Sequence, residues 1–195
     1  MVEYYARKND IEPLLQKLLS DETTDSLGRQ NNLHILYRES DKEGLVKSIN
    51  IKRQGTKVRL DYPCIVIQVI RESRVPEITH SYSVKYNYRV YFYLLFTPRT
   101  DMQYNGVKYY AGEEVDESTN DNSLPDMTMG ALETIFFNRI GYSHDDFPYI
   151  ALGENILVGT SPIERAFGDE ENFGYVMEYY IQATKDRSMI QRGET

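Results

Sequence analysis

The chain has 195 residues, 41% of them hydrophobic, which suffices for one substantial core. Its formal net charge is −8 and its pI about 5.0. That balance disfavours sequence-independent phosphate binding, which wants a basic stripe, and suits a surface past which DNA slides. The N-terminus lacks the apolar core of a signal peptide, and no run approaches the length of a membrane helix, so the chain is expected to be made soluble and to remain so.

In chain order, residues 10–20 are expected to form the first helix. Asp10 is its cap, Pro13 is tolerated in its first turn, and Leu14, Leu15, Leu18 and Leu19 form one apolar stripe. Residues 21–34 are polar and irregular and read as a loop. LVKSINIK and TKVRLDY flank Gln54-Gly55 and read as a basic hairpin near 45–61. PCIVIQVI follows, a β-branched run that reads as a strand buried on both faces, with Pro63 at its start. It holds the single cysteine, Cys64, whose setting suggests a small buried apolar side chain in a reducing compartment. RESRVPEIT reads as a polar connector.

The stretch HSYSVKYNYRVYFYLLF, residues 80–96, alternates with period two. Tyr82, Val84, Tyr86, Tyr88, Val90, Phe92, Leu94 and Phe96 form the face expected to be buried. The other face is polar up to Arg89 and apolar from Tyr91 onward, so the strand should begin half-exposed and end sandwiched. At roughly 3.3 Å per residue it would span on the order of 50 Å, far beyond a usual strand. Such length suggests an edge that a second copy of the chain completes.

Asn105-Gly106 marks a two-residue type I′ turn between MQY and VKYY. The following acidic stretch, with Glu113, Glu114 and Asp116, lacks the glycine and terminal glutamate of a calcium loop and reads as a flexible acidic loop near 112–124. PDMTMGALETIFFNRIG gives a second helix capped by Asp126, with Met129, Leu132, Phe136 and Ile140 as its stripe and Gly141 as its stop. Ser161-Pro162-Ile163-Glu164 matches a capping box and suggests a short helical turn. GYVMEYYIQATK is the closing strand, with Tyr175, Met177, Tyr179, Ile181 and Ala183 on one face, and a flexible tail near 186–195 follows. The fold class is therefore α+β: one domain over 1–195, an antiparallel sheet with one very long strand, flanked by two main helices.

No catalytic motif is present. His144-Asp145-Asp146 is the nearest thing to a constellation and reads as a polar turn; no enzyme activity, metal or other cofactor is expected. The tyrosines of residues 82–91 could stack single-stranded bases or a glycan, but only Lys85 and Arg89 accompany them, and tyrosine equally suits protein interfaces.

The order of parts is a short helix, YPCIVIQVI, YSVKYNYRVYFYLLF, MGALETIFFNRI and YVMEYYIQAT. It resembles the tail terminator, or tail-completion, proteins of tailed bacteriophages, over roughly residues 10–184. The basic hairpin and acidic insertion are departures from the smaller members, and they leave open another neck or baseplate component. The resemblance implies a homohexameric ring that caps the tail tube and meets the neck or connector proteins. DNA would pass through it without sequence-specific binding, in a virion assembled in the host cytoplasm. The interface residues expected on this reading are Tyr82, Lys85, Tyr86, Tyr88, Arg89, Tyr91, Tyr104, Asn105, Gly106, Glu113, Glu114 and Asp116.

Overall fold

A computed structural model describes residues 11–20, 36, 44–52, 60–74, 83–98, 100–112, 122–137, 139–163 and 172–186. The class is mixed α+β. The elements are α1 (Ile11–Ser20), β1 (Ser48–Ile51), β2 (Cys64–Arg74), β3 (Ser83–Phe96), β4 (Asp101–Tyr104), β5 (Val107–Tyr110), α2 (Leu124–Phe137), β6 (Ile150–Ile163) and β7 (Phe173–Asp186). Five strands make one sheet in the order β1-β2-β3-β7-β6; β4 and β5 form a separate two-stranded ribbon. Among the described strand pairs of the five-stranded sheet, β1–β2 is parallel and the others are antiparallel.

Alternation decides which side of the sheet is core. On β3 the even positions Val84, Tyr88, Val90, Phe92, Leu94 and Phe96 are buried, while Asn87 on the opposite face is exposed. Register places Phe92 opposite Met177 and Val90 opposite Tyr179, and those side chains enter the same core. Its centre is aromatic: Phe92, Phe136 and Tyr179 stand with ring centroids 5.0–5.6 Å apart. Leu14, Leu15, Leu18 and Leu19 of α1 and Leu132, Ile135 and Phe136 of α2 are buried in the same cluster, so both helices cover one face of the sheet. Each such side chain contributes about 1.5–3 kcal/mol by leaving water.

Polar contacts pin α1 to the sheet. Gln16 Nε2 donates to the Ile49 carbonyl at 2.6 Å. The Val69 N–H, beside a β-bulge between Val69 and Arg71, donates to Glu12 Oε1 at 3.1 Å. A bulge disturbs the ladder, and a helix carboxylate supplies the acceptor here.

The structure corrects several expectations. β3 is not one exceptional strand, because β6 and β7 are also 14 residues long. Nor does its length leave an open edge. Every residue of β3 pairs with β7, and β2 pairs along Tyr86–Leu95 on the other side. The reason for expecting a second copy at β3 therefore falls; the sheet's outer strands are β1 and β6. β2 runs on to Arg74, absorbing half of the expected connector, and is buried on both faces only over Cys64–Ile67. Ser161-Pro162-Ile163 opens no helix and instead ends β6, where an outer strand tolerates a residue without an N–H. The α2 cap is Ser123, whose Oγ accepts the Asp126 N–H at 3.3 Å. Ile140 leaves the stripe because α2 ends at Phe137, and it is exposed. In the region of the expected basic hairpin, β1 pairs in parallel with β2; 53–59 lie outside the described residues. So do Asp10, the loop at 21–34, residues 113–121 of the acidic loop and the tail from 187.

The Asn105-Gly106 turn is as expected. Two residues join β4 to β5 with φ of 50° and 78°, the left-handed pair of a type I′ turn.

Candidate functional site

The helix-free face of the sheet is where β2, β3, β7 and β6 present their remaining side chains. At one end a small second cluster closes it: Cys64, Val66 and Leu95 are buried, with Leu60, Tyr62, Tyr93 and Ile163 packed around them. Burial pushes the Cys64 thiol up to about 12, with the Asp61 charge adding to the effect, so this cysteine is a packing residue and a poor nucleophile.

From that cluster a polar and aromatic band runs along the face. Tyr93 OH donates to Gln68 Oε1 at 2.9 Å, and burial followed by the neighbouring Tyr91 holds its phenol above the usual range. Lys52 Nζ lies 5.5 Å from the Tyr93 ring centroid, and Tyr91 meets Tyr93 edge-on at 6.1 Å. Arg89 Nε donates to Glu178 Oε1 at 2.6 Å while its guanidinium lies 5.6 Å from the Tyr91 ring. That charged hydrogen bond holds the Glu178 carboxyl below the ordinary glutamate range and Arg89 above its own. Next, Gln182 Nε2 reaches Asn87 Oδ1 at 3.4 Å. Ser73, Asn87, Arg89, Glu154, Tyr180 and Gln182 line a half-open depression of about 490 Å³.

At the β6 side of the depression the face turns apolar. Ile156 is 61% exposed, Val158 48% and Tyr180 49%. Phe137 (81%) and Ile140 (60%) are exposed at the end of α2, on the other side of β6. Two contacts hold that end against the strand. Asn155 Nδ2 donates to the Phe136 carbonyl at 2.9 Å, and residues 141–142 exchange backbone hydrogen bonds with Leu152. Past Leu152, β6 has no strand on its outer side among the described residues. Large apolar side chains are thus exposed on both sides of this outer strand.

A second polar cluster lies on the core side, at the far ends of β2, β3 and β7. Lys185 Nζ is 3.5 Å from Glu72 Oε1, with side chains 6% and 18% exposed. Tyr88 OH donates to the same carboxylate oxygen at 3.1 Å, and the ammonium lies 4.9 and 5.6 Å from the Tyr86 and Tyr88 rings. Its geometry is that of a clasp tying three strands together.

The expected interface residues thus divide. Arg89, Tyr91 and Lys85 belong to the helix-free face, and Asn105 and Gly106 are exposed at the ribbon's tip. Tyr88 is fully buried, because its even position faces the helices, and no partner reaches it; Tyr86 packs under Lys185 and Tyr104 against the core. Tyr82, Glu113, Glu114 and Asp116 lie outside the described residues. Phe137, Ile140, Ile156, Val158 and Tyr180 were not anticipated. Tyr180 had a usable signal, since it stands in the opposite phase to Met177, Tyr179 and Ile181.

His144-Asp145-Asp146 forms a turn: His144 Nδ1 accepts the Asp146 N–H at 3.0 Å, and the Asp146 carboxylate meets Lys17 of α1 at 3.0 Å. Among the described residues no group of histidine, cysteine and carboxylate side chains could hold a metal ion, and no helix is long and apolar enough to cross a membrane. No protein-family model matches the chain, and no curated protein matches it significantly.

Proposed function

We propose that this chain is a structural subunit of a virion, a ring-forming tail terminator or tail-to-neck connector of the kind its element order resembles. One observation carries the reading: large apolar side chains, Ile156 and Val158 of the outer strand β6 and Phe137 and Ile140 after α2, are exposed along one edge of the sheet. A subunit buries such side chains on assembly. The acidic balance supports the same reading, because a wall past which DNA slides must not hold phosphate. The ring would join tail-tube and neck proteins and assemble with the virion.

The test is solution mass by light scattering over a concentration series, followed by negative-stain imaging. A closed assembly of several copies with a central opening, formed without cofactor, is the expected result. A chain that stays monomeric to several hundred micromolar overturns the reading.

A second reading rests on the depression. Asn87, Gln182, Ser73 and Glu154 around the exposed Tyr180 ring suit a neutral glycan better than a nucleic acid, since Glu178 already engages the Arg89 guanidinium. Glycan binding that Tyr180→Ala abolishes in an isolated monomer would favour it.

A further inference from the structure

We propose that the depression on the helix-free face is a subsite for one uncharged hexopyranose, stacked on the Tyr180 ring, and that Glu154 turns acidic sugars away. The inference rests on the glycan reading of the depression and does not depend on whether the chain closes a ring.

The hollow has a structural cause. Its floor is the β3–β7 pair, which runs without a register shift. Both strands flanking that pair are bulged beside this stretch. β2 shifts register between Val69 and Arg71, and Arg71 is the ladder partner of Arg89. β6 shifts at Leu152/Asn155 and again at Leu157/Gly159; between the two shifts lies Ile156, the ladder partner of Tyr180. A bulge bends its strand and re-aims a side chain, and bulges are over-represented beside active sites for that reason. Three of them around the Arg89–Tyr180–Ile156 row account for a hollow of about 490 Å³ in a sheet face, a volume within the range of small-ligand sites. Gly153 belongs to the same construction. A Cβ there would lie 3.2 Å from Gln182 Oε1, so the glycine leaves room for the Gln182 side chain against β6.

The lining divides as a sugar does. A pyranose has an apolar face of C–H groups and a rim of hydroxyls that both donate and accept. The exposed Tyr180 ring and the exposed Ile156 beside it give an apolar platform with a polar tip. Next to them, the Gln182–Asn87 amide pair spends one donor on itself: Gln182 Nε2 donates to Asn87 Oδ1 at 3.4 Å. Among the described residues this leaves the Gln182 carbonyl oxygen and the Asn87 amino group for hydroxyls, an acceptor and a donor side by side. Charge decides which sugars enter. Glu178 neutralises the Arg89 guanidinium at 2.6 Å, so among the described lining residues the charge left over is the Glu154 carboxylate. A sugar acid would set like charges together, whereas a neutral hydroxyl donates to that carboxylate. The same charge disfavours the phosphates of a nucleic acid, whose bases would otherwise suit the Tyr180 ring.

Saturation-transfer NMR on the full chain tests this, with the methyl glycosides of glucose, galactose, mannose and glucuronic acid as probes. One hexose on one ring is held weakly, with an expected dissociation constant of about 1–10 mM. At least one neutral glycoside should bind, at least fivefold more tightly than the glucuronide. Tyr180→Ala should abolish that signal while its thermal unfolding stays that of the parent. Tyr180→Phe, which keeps the ring, should restore it, and Glu154→Gln should tighten the glucuronide at least fivefold. If a neutral glycoside binds but the glucuronide matches it, if Glu154→Gln leaves the glucuronide unchanged, or if Tyr180→Phe loses the signal, the subsite as drawn is wrong and the glycan reading stands. If Tyr180→Ala binds like the parent, or if no glycoside gives a signal, both are overturned.

Discussion

Lys185→Met removes the cation of the Glu72–Lys185–Tyr88 clasp while keeping most of the buried stem. Breaking a buried pair from one side costs about 3–5 kcal/mol. Here the separation is 3.5 Å and Glu72 keeps 18% of its side chain exposed, so water recovers part of that cost. Loss of the contacts to the Tyr86 and Tyr88 rings adds a further ~1 kcal/mol. The expected destabilisation is about 2–4 kcal/mol. With a urea slope of about 2 kcal/mol per molar, the unfolding midpoint moves down by about 1–2 M, read by circular dichroism. The double variant Lys185→Met/Glu72→Met removes the stranded carboxylate and should regain at least half of the loss. A single variant within about 0.5 kcal/mol of the parent, or a double variant less stable than the single, would refute the clasp.

Gly174→Ala should be among the most damaging small substitutions, because a Cβ there would lie 2.2 Å from the Leu94 carbonyl oxygen; thermal unfolding should show a loss of at least ~3 kcal/mol. Gly106→Ala meets no atom within 4 Å, so its cost is the positive φ alone, about 1–2 kcal/mol, and hydrogen exchange should show it confined to the ribbon. Tyr179→Phe removes a buried hydroxyl with no hydrogen-bond partner among the described residues and should leave stability unchanged or raise it by about 1 kcal/mol in a thermal melt. The Glu178 carboxyl is held below its ordinary range, so its contribution is complete above that range and lost as pH falls through the depressed value. Melting temperatures taken down through the acid limb should therefore fall less steeply in Glu178→Gln than in the parent.

Much of this fold is legible in the sequence where period two is unbroken. Residues 83–96 and 173–185 alternate, and their burial follows the alternation. Asn105-Gly106 specifies its turn because few residue pairs accept two left-handed conformations. β6 was illegible for a physical reason: its two register shifts each displace the alternation, so IALGENILVGTSPI has no constant phase. The capping-box pattern then supplied a local alternative that the outer strand overrode. At the candidate surface, Ile140 follows Phe136 by four residues and belongs beneath it only if the helix continues, but α2 has already ended at Phe137. Tyrosine content along β3 pointed to a partner, yet half of those rings face the helices. Which outer strand lacks cover is set by strand order, and strand order is a long-range property that no local pattern carries.

That strand order also bears on how the chain comes to be folded. The middle of the sheet is the β3–β7 pair, and Arg89 and Glu178, joined across it, are 89 residues apart in sequence. At a synthesis rate of about 5–20 residues per second, β3 waits on the order of 5–20 s after its own translation for the strand that covers it. During that interval Tyr91, Tyr93 and the apolar positions from Phe92 to Phe96 stand along an unpaired edge. Closing so long a loop makes the central pairing slow relative to the β4–β5 ribbon, whose two strands are separated by a two-residue turn. The ribbon and the local β2–β3 pair are therefore expected to form first and the sheet to close last, with the β7-facing edge of β3 open in between.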